Sequence, residues 1–237
     1  MTSRPLPLIT TAVALVVAGW AAFLRPGVEL EIPVRWRPGM GAIPEVERER
    51  PGPVDPRAAQ ARGLAFLLAH QNKDGSWGSF ESSRPDEIWL GTVASHRAFR
   101  AATSALAVMA LVEPARADPG AAEALRKGLD YLCSAEPALR ATGDVLYDNW
   151  AHLYLAQAMA HCYTEPALAD RKPAMASVGR RELDLLARLQ GQDGGWGYYD
   201  FNYAVSRPTG LQSTSFMTGA VLVTLHDVEA AELAADP

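Results

Sequence analysis

Two short segments of this chain share a residue pattern that indicates a repeated structural or catalytic unit. They are QNKDGSWGSF at Gln71–Phe80 and QGQDGGWGYY at Gln190–Tyr199. In each segment a Gln is followed by Asp-Gly and then by Trp-Gly, and the two copies lie 119 positions apart. Asp-Gly favours a tight turn, because Gly tolerates a positive φ. The fold therefore has to accommodate the same turn twice.

The region from Arg57 onward predicts six helices and an all-α fold. Apolar residues recur there at spacings of three and four, which is the period of a helix with one buried face. Clusters of Pro and Gly separate these apolar segments. The predicted helices contain the following segments: Ala61–Leu68, Ser104–Val112, Glu123–Leu132, Asn149–His161, Arg180–Leu189 and Ser215–Val228.

The first, third and fifth predicted helices share a longer pattern. It starts at Arg62, Lys127 and Arg181, so the unit recurs after 65 and then 54 residues. Each copy runs from the basic residue through a large apolar residue and Leu to a Gln or Glu four positions later. Units of this length are typical of helical-hairpin repeats, in which each hairpin buries its apolar face on its neighbours.

This pattern resembles the QW motif of the squalene cyclase and prenyltransferase repeat superfamily. The motif joins a basic residue, a small residue, an aromatic residue and Leu to a Gln and a Gly-x-Trp. The first copy matches every position: Arg62, Gly63, Phe66, Leu67, Gln71, Gly75 and Trp77. The last copy matches most of them: Arg181, Leu186, Gln190, Gly194 and Trp196. Glu182 stands in place of the small residue, and Leu185 in place of the aromatic.

The middle copy is the least complete of the three. It keeps the start of the motif at Lys127, Gly128, Tyr131 and Leu132, and it has no Gly-x-Trp. The resemblance implies an α/α toroid, in which outer helices carry the motif and inner helices line a central cavity. A closed toroid needs about five to seven hairpins, and three are visible. We expect either part of a larger toroid or an open arc that dimerises or binds a partner.

The repeated segment itself is expected to be structural. A Gln at the end of a helix can donate to carbonyl groups that lack intrahelical partners, and the Trp can pack over the turn. In the family the motif is read as a staple between helices. Asp74 and Asp193 are then turn-forming residues rather than catalytic acids.

Signatures of the activities known on this toroid are missing from the sequence. There is no Asp-x-Asp-Asp run, as in squalene–hopene cyclase, and neither Cys133 nor Cys162 has the Asp two residues earlier that a prenyltransferase zinc site needs. The segment CSAE lacks the Gln of a thioester site. The sequence predicts free thiols, no metal site and no cofactor.

The candidate cavity residues are polar or aromatic side chains near the starts of the predicted inner helices. His96 and Arg100 are expected to precede the first of these helices, and Tyr147 the second. Tyr199 and Tyr203 belong to an aromatic cluster before the third. Asp148 and His152, four positions apart, are a candidate acid–histidine pair. Alternatively, Asp148 caps the helix and His152 is a core residue with its hydrogen bonds satisfied.

The N-terminal quarter of the chain has a different composition. Residues 1–25 contain the apolar run Leu8–Leu24, which predicts an export signal or a short membrane anchor, with a buried core helix as the alternative. Residues 26–56 contain seven prolines and predict a linker, and residues 57–237 form the repeat domain. We therefore expect a secreted or membrane-anchored protein whose globular part lies outside the cytoplasm.

Three functions fit these features. The favoured one is a repeat protein that binds an apolar, isoprenoid-like or peptide ligand, and that oligomerises if three hairpins are the whole product. The alternatives are a terpenoid cyclase or prenyl-transferring enzyme whose acid lies beyond Pro237, and a polysaccharide-active toroid with paired carboxylates. A net charge of −5 without any run of basic residues argues against nucleic-acid binding.

Overall fold

The computed structural model describes residues 55–79, 93–136, 149–197 and 213–233. All of them belong to one compact unit, Pro53–Pro237. Within these ranges the chain is helical, with no strand longer than an isolated bridge, which confirms the all-α prediction. The six helices are α1 (Pro56–Ala69), α2 (Val93–Val112), α3 (Pro119–Ser134), α4 (Asn149–Tyr163), α5 (Lys172–Leu189) and α6 (Ser215–Ala230). Short 3-10 helices, Pro114–Arg116 and Pro166–Arg171, precede α3 and α5.

Two of the helices begin with the same local signal. Asp55 Oδ1 accepts a hydrogen bond from the backbone N–H of Arg57 at 3.0 Å, and Asp118 Oδ1 accepts one from Ala121 at 2.9 Å. A Pro follows each Asp as the first helical residue. An Asp cap satisfies a backbone donor that has no partner within the helix, and Pro has the φ that a first turn requires.

Helix α2 begins much earlier than the sequence predicts. It starts at Val93, so that His96 and Arg100 lie inside the helix instead of preceding it. The side chains that this part of α2 buries are small, namely Ser95, Ala98, Ala101 and Ala102. Small residues give little apolar periodicity, although Ala favours helix strongly, and no Gly or Pro interrupts the segment.

The helices contact one another in two rows. Helices α2, α4 and α6 pack side by side in that order, and α1, α3 and α5 form a second row. Between the rows, α2 packs on α3 and α4 packs on α5. The main core lies between these helices around Val108, Leu129 and Met159, and a smaller apolar cluster surrounds Trp196 and Met217.

The helices at the ends of the rows are less covered than those in the middle. Helix α4 buries eleven of its 15 residues, whereas α6 buries only four of 16 and α1 buries none. Several large apolar side chains of α6 are exposed: Phe216, Leu222, Val223 and Leu225. Each row therefore ends in a helix with an apolar face open to solvent.

No helix in the described ranges is long and apolar enough to cross a membrane. The apolar run Leu8–Leu24 and the Pro-rich segment that follows it lie outside those ranges. The predicted export signal or anchor therefore stays a prediction.

Candidate functional site

The first Asp-Gly-x-Trp turn is held together by its own side chains. The indole Nε1 of Trp77 donates to the carbonyl oxygen of Leu67 in α1 at 2.8 Å, and Gln71 Nε2 donates to the carbonyl oxygen of Gly75 at 3.0 Å. Gly75 has a φ of 90°, a conformation that favours glycine. Asp74 Oδ1 accepts from the N–H and the hydroxyl of the residue two positions later, at 3.1 and 2.6 Å.

The second turn repeats this arrangement. Trp196 Nε1 donates to the carbonyl oxygen of Leu186 at 2.8 Å, and Gln190 Nε2 donates to that of Gly194 at 2.9 Å. Gly194 has a φ of 86°. Asp193 Oδ1 accepts from the N–H two positions later at 3.2 Å. In both turns the Asp carboxylate serves the turn itself, as a structural residue does.

Each turn is also tied to the helix that follows it in sequence. The backbone N–H of Trp77 donates to Ser104 Oγ of α2 at 2.9 Å, and that of Trp196 donates to Thr218 Oγ1 of α6 at 3.0 Å. The indole groups already bind the preceding helices. Each turn therefore links two consecutive helices through one Trp.

The first turn docks on α3 as well. Gln71 Nε2 makes a second hydrogen bond, to the carbonyl oxygen of Ala124, at 2.8 Å. A Cβ atom at Gly75 would lie 2.2 Å from the carbonyl oxygen of Lys127. This glycine is thus needed both for its positive φ and for the close approach of α3.

Arg100 contacts the first turn. Its Nη2 lies 2.8 Å from Asp74 Oδ2, and its guanidinium lies 5.7 Å from the centre of the Tyr131 ring in α3. Burial raises the pKa of Asp74, but the hydrogen bonds from Ser76 and the charge of Arg100 outweigh it and hold that pKa below its usual value. Asp74 is therefore a carboxylate at neutral pH, unsuited to act as an acid.

His152 pairs with a carboxylate that the sequence does not predict. Its Nδ1 lies 2.6 Å from Glu182 Oε2, and each side chain is only 1% exposed. Arg181 Nη2 lies 2.7 Å from the other carboxylate oxygen of Glu182. This cluster joins α4 to α5 and places His152 in the core with its Nδ1 paired to a carboxylate. Asp148, its predicted partner, lies outside the described residues.

One sequence signal could have pointed to this pair. Glu182 occupies the position of the motif where the other two copies have Gly63 and Gly128. A carboxylate that replaces a close-packed glycine needs a buried partner, because an unpaired buried charge is costly. The partner lies 30 residues earlier on another helix, so sequence spacing alone does not identify it.

A strip of aromatic and polar side chains runs along α4 and α6. Residues 150, 154, 157 and 161 fall on one face of α4. At one end the ring of Trp150 lies 5.5 Å from that of Tyr154 and 5.8 Å from that of Phe216. At the other end Asp227 Oδ2 lies 2.9 Å from Gln157 Nε2 and 3.2 Å from His161 Nε2. We call these six residues the α4–α6 strip.

The strip is partly open to solvent and has two chemically different ends. Phe216 is 52% exposed, and the His161 side chain is 43% exposed. Because α4 rises by 1.5 Å per residue, the strip is about 16 Å long. The aromatic end can contact an apolar group, and the His161–Asp227 end can donate and accept hydrogen bonds.

The remaining predicted residues do not gather at one point. Arg62, Gly63 and Phe66 are exposed on α1, and His96 is half-buried near the start of α2. Three predicted tyrosines lie outside the described residues: Tyr147, Tyr199 and Tyr203. The ring of cavity residues predicted from the sequence is therefore neither assembled nor excluded.

Each Trp of the repeated turns also borders an apolar groove. A groove of about 590 Å³ beside Trp77 lies between α1 and α2 and is lined by Phe66 and Leu106. A groove of about 600 Å³ beside Trp196 lies between α5 and α6 and is lined by Leu225 and Glu229. The two grooves lie at the two ends of the helix rows.

The described residues offer no metal site and no reactive thiol. No group of three His, Cys, Asp or Glu side chains among them could hold a metal ion. The predicted free thiols are confirmed at Cys133 and Cys162. Burial raises the pKa of Cys133 to about 11 and that of Cys162 to about 12, so both are neutral at physiological pH.

No protein-family model, curated protein or solved structure matches this chain.

Proposed function

We propose that this chain is a helical-hairpin repeat protein of the squalene cyclase and prenyltransferase repeat type, and that it binds an elongated apolar ligand with a polar end group. The repeated turns are its scaffold. The observation that carries the binding proposal is the α4–α6 strip, with aromatic rings at one end and a His–Asp pair at the other.

The division into three two-helix units is supported by the two rows of helices and not by packing within each unit, because α2 packs mainly on α4 and α3, and α4 mainly on α5 and α2. Pairing α1 with α2, α3 with α4, and α5 with α6 gives three units in sequence. The first helices of these units contact one another in order, and so do the second helices. In the Trp77 and Trp196 turns, each indole donates to the carbonyl oxygen of the residue ten positions earlier, and this equivalence supports the same division. Such units stack by packing each one on its neighbours.

The ligand class follows from the chemistry of the strip. Its length of about 16 Å suits an extended apolar chain rather than a compact molecule. The rings of Trp150 and Phe216 provide apolar surface, and His161 with Asp227 provides hydrogen bonds for a hydroxyl or similar end group. An isoprenoid alcohol has both features. We propose that export or anchoring by residues 1–25 brings the protein to membranes, where such molecules occur.

Binding of a fifteen-carbon prenyl alcohol to the full chain tests this proposal. Phe216→Ser removes a ring that is 52% exposed, and Phe66→Ser removes one that is 58% exposed on α1. Both changes should leave the fold intact, because the rings are exposed. We expect Phe216→Ser to weaken binding by roughly tenfold, since a largely desolvated ring contributes about 1–2 kcal/mol, and Phe66→Ser to have little effect. Isothermal titration gives both constants.

The polar end of the strip has its own control. His161→Ala should weaken binding of the prenyl alcohol more than binding of the corresponding hydrocarbon, whereas His226→Ala, on an exposed histidine of α6, should change neither. Equal binding by wild type, Phe216→Ser and His161→Ala would exclude the strip as the site. Conversion of the alcohol to a new product would favour the enzyme alternative.

A further inference from the structure

At one position of the repeated motif, α3 and α5 each contact a helix of the other row. The same position in α1 has no such contact among the described residues. Gly128 of α3 lies against α2 so closely that a Cβ atom would be 2.7 Å from Val108 Cγ2 and 2.8 Å from Trp77 Cζ3. At the same motif position in α5, Glu182 contacts His152 of α4. At that position in α1, a Cβ atom on Gly63 would meet none of the described residues within 4 Å. In the part of the chain that the structure describes, α1 is therefore open here to a side chain from another helix.

Helix α6 has the side chain that this place lacks. Ser104 of α2 and Thr218 of α6 are equivalent, because each hydroxyl accepts from the backbone N–H of its Trp. Four residues later, Val108 in α2 is fully buried against Gly128, whereas Leu222 in α6 is 57% exposed. Leu222 and Gly63 are therefore the counterparts of Val108 and Gly128, which contact each other inside the chain.

The second turn is open in the same way. At the first turn a Cβ on Gly75 would be 2.2 Å from the backbone of α3, but at Gly194 it would meet none of the described residues within 4 Å. Gln71 donates both to its own turn and to α3, whereas Gln190 donates only to its own turn among the described residues. The part of α3 that lies against Gly75 of the first turn is Lys127–Gly128, which corresponds to Arg62–Gly63 in α1. That segment of α1 is exposed.

The charges on the two open surfaces are opposite. Helix α1 contains Arg57 and Arg62, both exposed, and no acidic residue. The end of α6 is followed by Glu232 and contains Glu229, and both line the groove beside Trp196. The described structure gives none of these four side chains an ion-pair partner. Inside the chain only six residues join the end of α2 to the start of α3, so these two helix ends lie close together. If α6 contacts α1 of another copy as α2 contacts α3, the acidic end of α6 comes close to Arg57 at the start of that α1.

We propose that a second copy of this chain docks head to tail, with its α1 on the α6 and Trp196 turn of the first copy and Gly63 against Leu222. This inference rests on the equivalence of the three units in the proposed repeat, and it does not depend on the ligand. The interface is heterologous, because it joins two different surfaces. It covers the apolar faces at both ends of the rows, and opposite charges flank it.

Sedimentation equilibrium of the full chain, without ligand, tests this contact. Gly63→Leu fits the single copy, because no described residue lies within 4 Å of the site, but it fills the place that Leu222 needs. Leu222→Asp puts a charge there instead. Each should weaken self-association about tenfold to hundredfold. Ala65→Leu is the control, because Ala65 corresponds to Asp130, which stays exposed on α3, and it should associate as wild type does.

Mixing the two weak variants distinguishes this interface from others. Gly63→Leu retains an intact α6 surface and Leu222→Asp an intact α1 surface, so a mixture should form a 1:1 complex that neither variant forms alone. A wild-type chain that stays monomeric at every concentration overturns the proposal, as does association that Gly63→Leu leaves unchanged or a mixture that does not associate. Prenyl alcohol binding by Gly63→Leu reports separately on the proposed function.

Discussion

Gly75 and Gly194 allow the docking of the repeated turn to be measured within one protein. Both residues have a positive φ, 90° and 86°, so an Ala at either position pays a similar backbone penalty of about 1–2 kcal/mol. Ala also gives the unfolded chain less conformational freedom than Gly does, and this offsets about 0.4–1 kcal/mol of the backbone penalty. We therefore expect Gly194→Ala, whose Cβ meets no residue of the described ranges within 4 Å, to lower the free energy of unfolding by about 1 kcal/mol.

The same change at Gly75 has an additional cost. Its Cβ would lie 2.2 Å from the carbonyl oxygen and 2.7 Å from the carbonyl carbon of Lys127, and helix backbone cannot rotate away as a side chain can. Overpacking of this kind adds about 1–3 kcal/mol, so Gly75→Ala should lower the free energy of unfolding by about 2–4 kcal/mol.

Urea unfolding of the full chain, followed by far-UV circular dichroism, measures both changes. The urea dependence of the free energy should be the same in both variants, because the surface exposed on unfolding does not change. Equal destabilisation by the two substitutions would refute the docking of the first turn on α3, since the backbone cost alone would then explain both.

Two further results follow from the buried groups. Glu182→Ala leaves His152 and Arg181 without their carboxylate and should lower the free energy of unfolding by about 3–5 kcal/mol in the same urea experiment. Glu229→Ala, at an exposed position, is the control and should change it by less than about 0.5 kcal/mol. A small effect of Glu182→Ala would mean that the His152–Glu182 pair contributes little to stability. Cys133, with a pKa raised to about 11, and Cys162, raised to about 12, should react with iodoacetamide at pH 8 roughly a hundredfold more slowly in the native protein than in urea, and fast native labelling would show that these thiols are accessible and ionised.

The sequence predicts the helices well because most of them have a strong apolar period. Helix α5, for example, ends at Leu189, the last residue of the predicted segment. The start of α2 is missed because its buried residues there are Ala and Ser, which a search for large apolar side chains overlooks. The structural role of Asp74 is predictable, since Asp-Gly before a Trp is a turn signal in any fold.

The contacts between helices could not be predicted in the same way. His152 and Glu182 meet because α4 packs on α5, and neither spacing nor composition fixes which faces of two helices touch. Arg100 spans the first turn and α3, a contact that the sequence does not indicate. The toroid remains a proposal, and so does the ligand.

Hydrogen exchange of the indole N–H groups of Trp77 and Trp196, measured by NMR on the full chain, tests the central claim most directly. Each N–H donates to a helix carbonyl at 2.8 Å, and both side chains are buried. If the repeated turns are structural staples, both protons should exchange only through opening of the helices, far more slowly than an exposed indole. Exchange of either proton at the rate of an exposed indole would contradict the account.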